Sequence, residues 1–371
     1  MTTYEADFSE PDGYMNFASI GPPGRRVAAA LAEIVAAVSH PSGDVPPLVM
    51  GRYEAALATL GRFVGAAPEQ VTVVPSTSAG LFQVAFGLLS AGGNVVVPAH
   101  EFPANLYPWL RSAEAGGPEV RRVEVPDGRV TAGVLAAAVD ADTRAIAVSL
   151  VDYATGFRVD LAALRELAGD ALLVVDAIQA LGAIRVGLSP ADVVVAGGQK
   201  WMRAGWGAGL MAVSSRAFDR LAPTLTGWWG VEDAFDFVTP PLHAPRADAD
   251  RFQEGSPNVF GAVALAAAID VIEAVGVAAV EAAVLERSGL VAELAAPSGA
   301  EVRTPWRHET ERAGIVTLRM PGEDAAATVA RLAAEGFVVS ERSGWVRVSP
   351  HASTSIDAVE ALAGVLGAVR R

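Results

Sequence analysis

Two charged side chains, each isolated beside an apolar run, carry the chemistry of this sequence. Residues 172–211 read LLVVDAIQALGAIRVGLSPADVVVAGGQKWMRAGWGAGLM, with Asp176 closing the first strand-like run and Lys200 following the second. A lysine amine forms a Schiff base with a carbonyl compound, and a buried carboxylate keeps a ring nitrogen protonated. That pair is what pyridoxal phosphate chemistry requires. Lys200 lies in GGQKW, among glycines and tryptophans and with no carboxylate beside it. Burial there lowers an amine's proton affinity toward neutrality, which suits a base that shuttles a proton. A snorkelling surface lysine fits this setting poorly. Asp176 has a second reading, as the cap of a helix that follows the strand.

Other segments supply groups that such a pair needs around it. VTVVPSTSAGLFQVAFGLL (71–89) reads as strand, turn and helix. Its STSAG turn offers hydroxyls and unpaired N–H groups at a helix N-terminus, a setting for an anion and equally for an ordinary cap. In NVVVPAHEFPANLYPWL (94–110), Phe102 follows a buried-type strand, where its ring stacks on a flat ligand or fills the core. Gln179 stands three residues beyond Asp176, and a helix over 177–182 would set the two on adjacent turns.

The elements that must position these groups alternate. Helical spacing covers 25–38 and, after a break at HPSGDVPP (40–47), residues 49–64. Strands are expected at 120–125 and 144–151, the latter turning through Thr155 and Gly156 into a helix capped by Asp160. The fold class is therefore α/β, a mostly parallel sheet with helices on both faces. The later chain departs from this pattern. A long Ala-rich helix (about 260–275) leads to strands IVTLRM, GFVVSER and WVRVSP, interleaved with helices 323–335 and 355–370, which reads as a smaller α+β unit. The expected division is an N-terminal arm (1–24) that is extended over 14–24, a large domain (25–255), and a linking helix with the small domain (256–371). Small residues in the arm (Ala18, Ser19, Gly21) suggest backbone lying close to something.

Composition removes several classes of function. The 371-residue chain carries a net charge of −14 with no basic block, which argues against nucleic acid and anionic membrane as partners. It has no cysteine, so a disulfide framework, a thiolate metal site and a cysteine nucleophile are all excluded. The acidic N-terminus lacks an apolar signal-type core and no apolar run reaches membrane-spanning length, so a cytoplasmic enzyme is expected.

In order along the chain, DAIQALG, GGQKWMRAGWGAG, GSPN and VRVSPH together resemble the class V branch of the aspartate-aminotransferase-type (fold type I) pyridoxal phosphate enzymes. EFPAN (101–105), YATG (153–156) and GWWG (227–230) are most similar to kynureninase-like members. The resemblance implies a large sheet of seven-stranded type and assigns roles. Lys200 would carry the cofactor, Asp176 would pair with its pyridine nitrogen, and Gln179 would reach its phenolic oxygen. Thr77 and Ser78 would hold its phosphate, helped by Gln199 at a place often taken by histidine. Phe102 would stack on the ring and Asn105 would supply a polar group beside it. Arg347 would grip the substrate α-carboxylate, with Ser19 of the arm as a further substrate contact. Trp228 and Ser256 would reach the phosphate of a neighbouring subunit, which implies a homodimer with a shared site.

The same constellation starts several reactions. An aminotransferase-like activity on an α-amino acid stands first, with kynureninase-like cleavage, C–S β-lysis or epimerisation behind it. Desulfuration through a persulfide cysteine is excluded because no cysteine exists. A catalytically silent regulator is the remote rival, opposed by the joint presence of Lys200, Asp176 and Arg347. A nicotinamide dehydrogenase is weaker still, because Gly205, Gly207 and Gly209 follow KWMRA instead of a strand and open no helix.

Overall fold

Seven segments form the strands of the main sheet in a computed structural model, which describes residues 1–41, 43–238 and 243–367. They are β1 (Val71–Val74), β2 (Asn94–Pro98), β3 (Glu119–Val123), β4 (Thr143–Ser149), β5 (Leu172–Asp176), β6 (Val193–Gly197) and β7 (Gly209–Val213). Their spatial order is β1-β7-β6-β5-β4-β2-β3. Strands β3, β2, β4, β5 and β6 run parallel, while β7 is antiparallel to both of its neighbours. Strands β5, β6 and β7 are buried at every residue, which is why they are spelled almost wholly in Val, Leu, Ala and Gly. The parallel order brings the C-terminal ends of β4, β5 and β6 side by side, with Ser149 opposite Asp176 and Asp176 opposite Val195. Lys200 follows three residues after β6. The two charges read from sequence thus emerge at one edge of one sheet, the usual ligand edge of an open α/β sheet.

A second, antiparallel sheet has the order β10-β11-β9-β8, from β8 (Glu301–Val302), β9 (Val316–Arg319), β10 (Ser340–Arg342) and β11 (Trp345–Val348). Its core gathers Val316, Leu318, Leu332, Val346, Val359 and Leu362 with Met15 of the arm. Helix Val259–Val275 packs instead into the core of the large sheet, through Ala262, Leu265, Ile269 and Ile272. Among the described residues no single helix is long and apolar enough to cross a membrane. The bent pair Val259–Val275 and Val277–Ser298, broken by 84°, meets that test only by length and composition.

Three local expectations are corrected. The second helix begins at Val45, inside the anticipated break, because Pro46 and Pro47 occupy its first turn, where their missing N–H groups cost nothing. Of GFVVSER only Ser340–Arg342 is strand, since Phe337 and Val339 are taken up by the small core. Residues 177–182 form tight turns and no helix. Gly182 there has φ +93°, and a Cβ on it would stand 2.6 Å from the carbonyl carbon of Trp201, so the chain reverses against the Lys200 loop instead of winding on.

The arm is extended from residue 14, as expected, with isolated bridges Tyr14–Val338 and Asn16–Ser349 tying it to the small sheet. Its small residues do mark a close approach. The Gly21 N–H donates to the Gln199 carbonyl at 2.8 Å, and a Cβ on Gly21 would lie 1.9 Å from the Lys200 carbonyl oxygen. A Gly21→Ala variant should therefore push the arm off the lysine loop. The expected loss is about 1–3 kcal/mol of stability, as for other overpacked contacts, read as a lowered midpoint in urea unfolding.

Candidate active site

Burial defines the two central groups. Asp176 is 1 % exposed and Lys200 9 %. The Asp176 Oδ1 atom accepts the Ile178 N–H at 2.9 Å, so the capping reading holds for one oxygen, as a turn instead of a helix. Its Oδ2 atom is buried with no partner. Desolvation raises the carboxyl to about 6, against the pull of the Ile178 N–H and of Lys200. Burial also lowers the Lys200 amine to about 8, opposed by Asp176 and assisted by Arg347 and Arg342. Among the described residues this amine has no hydrogen bond or ion pair. Its nearest described aromatic partner is the Phe102 ring, whose centre lies 5.4 Å away. Phe102 itself is 40 % exposed and meets Tyr153 edge-on at 5.2 Å.

The end of β6 meets the start of helix Thr77–Gly87. Ser76 is the cap, accepting the Ala79 N–H at 3.1 Å, while the Thr77 hydroxyl accepts the Gly197 N–H at 2.8 Å. The first-turn N–H groups of Thr77 and Ser78 have no intrahelical acceptor by position. A Cβ on Gly197 would come within 2.4 Å of Gln199 Oε1 and 3.3 Å of Thr77 Oγ1, so Thr77 and Gln199 border the same small space. Asn105 is fully buried, its Oδ1 accepting from Trp109 at 3.3 Å and its Nδ2 without partner. Gln179 bridges the arm and the lysine loop, donating to the Ala18 carbonyl and accepting from Trp201 Nε1, each at 2.9 Å. One amide hydrogen of Gln179 is left over.

Arg347 enters from β11, buried, and is lowered to about 10 by desolvation and by Arg342. It donates to the Tyr153 carbonyl at 3.0 Å and to the Ser19 hydroxyl at 2.7 Å, and its Nε is unpartnered. The AST segment after VRVSPH has structural work of its own. Ala352 is in the core, Ser353 binds Glu10 and Arg203, and Thr354 accepts the His351 N–H. Arg203, at φ +58°, also donates to the Pro22 carbonyl and to Glu10, clasping the arm, the lysine loop and the C-terminal segment together. Trp228 and Ser256 lie apart from this cluster. Both are exposed, Trp228 beside Trp229, Phe235 and Gly255.

Two residues escaped the sequence reading although their motifs were in view. Arg342 reaches Ser19 at 3.1 Å. Glu101, from EFPAN, is buried at the end of β4, where its carboxyl takes the Ser149 N–H at 2.6 Å and pairs with the Ser149 hydroxyl at 2.5 Å. Desolvation raises it to about 8, with Asp176 and Asp152 adding to the shift. Because the folded value stands above the ordinary one, the native chain holds this proton and loses stability as pH rises through about 8. A Glu101→Gln variant keeps a neutral group there. Its stability relative to the parent should improve from about pH 5 to about pH 9, measured by urea unfolding of both proteins at each pH.

Comparison with known proteins identifies the family. Residues 31–354 match the family model for aminotransferase class V. The chain belongs to that family. A probable cysteine desulfurase of Pyrococcus abyssi is 28 % identical over 85 % of this chain and 82 % of its own length. The kynureninase of Deinococcus radiodurans is 32 % identical over 71 % of this chain and 65 % of its own. Among solved structures, the apo cysteine desulfurase of Thermococcus onnurineus superposes with a TM-score of 0.86 at 25 % identity, over 96 % of this chain and 94 % of that one. As a class V aminotransferase-family member the chain is a pyridoxal 5′-phosphate enzyme. The residues present fit that cofactor. An unpaired buried carboxylate oxygen, an unpaired buried amide and a free amine surround the strand ends, and a helix start lies beside a glycine whose Cβ would fill the space.

Proposed function

We propose that Lys200 carries pyridoxal 5′-phosphate covalently and that the enzyme transfers the amino group of an α-amino acid. The carrying observation is the pairing of a buried, unpartnered Lys200 amine with an Asp176 oxygen that also lacks a partner. When bound, the cofactor supplies an electron sink conjugated to the substrate Cα. Asp176 holds the proton on the pyridine nitrogen and so keeps that sink strong. Lys200, with proton affinity lowered to about 8, takes and returns the proton at Cα. Thr77, Ser78 and Gln199 take the phosphate end with the first-turn N–H groups. Phe102 covers one ring face, Asn105 offers its spare Nδ2, and Gln179 offers its remaining amide hydrogen. Arg347, with Ser19, takes the α-carboxylate by planar, charge-assisted hydrogen bonds.

The active unit in this reading is a homodimer. Trp228 and Ser256 serve the phosphate of the second copy, supported by the exposed aromatic cluster of Trp228, Phe235 and Phe237. A cytoplasmic location suits a chain without disulfides. The division into arm 1–24, cofactor unit 25–255 and substrate unit 256–371 is also part of the proposal, with helix Val259–Val275 packed in the larger core.

The test is an absorbance spectrum of the purified protein, followed by borohydride and peptide mapping. A near-visible band that borohydride fixes onto Lys200 is expected, and amino acids should convert it to free pyridoxamine phosphate. Absence of any band, or fixation elsewhere, overturns the proposal. A lyase of kynureninase or C–S type is the second reading, the kynureninase form favoured by the EFPAN and GWWG segments and by the similarity to the Deinococcus radiodurans kynureninase. Release of anthranilate with alanine, or of pyruvate, in place of pyridoxamine phosphate would put it first. Val231 after GWWG counts against the kynureninase form.

A further inference from the structure

Two guanidinium groups converge on one hydroxyl. Arg347 and Arg342 both donate to Ser19 Oγ, at 2.7 Å and 3.1 Å, while that hydroxyl donates to Asn16 Oδ1 at 2.8 Å. In the ligand-free chain the serine hydroxyl is thereby fully occupied, so a carboxylate that uses it displaces one of these bonds, and the two donor nitrogens lie no more than about 6 Å apart by the triangle they form. Neither arginine has an ion pair among the described residues. Arg347 is otherwise held only by the Tyr153 carbonyl, with Nε free, and Arg342 by the Glu341 carbonyl. Arg342 also bears on both neighbours, helping to lower Lys200 and Arg347. The substrate side of the site therefore presents two guanidinium cations, Arg342 and Arg347. The two buried acids at the strand ends do not balance them. Asp176 is committed to the cofactor ring in the proposed function, and burial keeps Glu101 protonated near neutrality.

Resting on that reading, we propose that the substrate is an α-amino acid with a second carboxylate on a short side chain, and that Arg342 is the residue that selects it. One α-carboxylate neutralises Arg347 and leaves Arg342 uncompensated. A partly buried cation next to another cation is stabilised when an anion arrives, and a planar fork suits a carboxylate. The two donor positions, bridged in the ligand-free chain by one serine oxygen, are close enough for the two acid groups of an aspartate- or glutamate-sized molecule. A neutral side chain would leave the Arg342 fork facing an apolar or amide group, and specificity of this kind comes from the unpaired charge as much as from the new contact.

The test compares aspartate with asparagine and glutamate with glutamine, pairs of equal shape, by spectral titration of the cofactor-loaded protein. The acidic member should reach half-saturation at a concentration at least about tenfold lower than its amide. Arg342→Gln should bring that ratio toward one, and Arg342→Lys should restore part of it. A second arm needs no cofactor. Calorimetry on the cofactor-free full chain should find succinate bound more tightly than propionate, and the difference lost in Arg342→Gln. Equal saturation by acids and amides, no saturable response to either acid, or an unaltered ratio in Arg342→Gln overturns the assignment. Failure of the cofactor reading would show separately, as a missing band at Lys200, while the succinate comparison still decides the role of Arg342.

Discussion

A Lys200→Ala variant is expected to lose both the near-visible band that borohydride can fix and turnover by on the order of 10⁴-fold, because general base catalysis alone contributes about 10²- to 10⁴-fold and the covalent attachment goes with it. The amine is buried, unpaired and lowered to about 8, so no other described side chain is equipped to replace it at that position. Arg347 is too basic to serve as the proton acceptor, even lowered to about 10. Cofactor should still bind to this variant, through the phosphate end and Asp176, but should dialyse away. A small primary amine added to the assay should recover a measurable part of the rate, since it can occupy the space left by the side chain. Full activity in Lys200→Ala would refute the assignment outright, and a folded variant is verified by an unchanged circular dichroism spectrum.

The second large effect is expected at Asp176. Asp176→Asn preserves shape and the contact to the Ile178 N–H but removes the charge, and with it the means of keeping a ring nitrogen protonated. The expected fall in kcat is about 10²- to 10³-fold, the size seen when one preorganised electrostatic partner is removed from a dry site. KM should change far less, because Arg347 and Ser19 are untouched. The wild-type rate also carries a pH signature. Burial raises the empty-site carboxyl to about 6, so its charge is lost as pH falls through that value, and cofactor binding should weaken over the same interval. A fluorescence titration of cofactor into the cofactor-free protein at several pH values measures this directly. A pH-independent affinity between about 5 and 8 would show that the carboxylate has no part in binding.

Much of this was legible in the chain. Asp176 and Lys200 stand out because β5 and β6 are short apolar runs buried on both faces, so that a charge at either end is conspicuous. Arg347 was visible through VRVSPH. What was not legible depends on packing between distant segments. Glu101 reads as an ordinary loop acid until β4 and β5 are seen to enclose it beside Ser149. Arg342 lies on a three-residue strand with no periodicity to mark it. Nothing near Gln179 in sequence marks the reversal at Gly182, which the Trp201 backbone, nineteen residues further on, enforces. The antiparallel β7 likewise resembles its parallel neighbours in composition, and only its pairing, Gly197 opposite Gly209, reveals its direction.

The Arg203 clasp has a consequence for how the molecule comes into being. It joins Glu10 and Pro22 to Ser353, and the arm reaches Ser349 across 331 positions of sequence. Contacts of such long range form late, because the entropy of closing so large a loop must be met first. A ribosome has to finish past residue 353 before the segment bearing the lysine is held from both sides. A chain that stops short of Ser353 would carry Lys200 without the full clasp that ties its loop to the arm and the C-terminal segment.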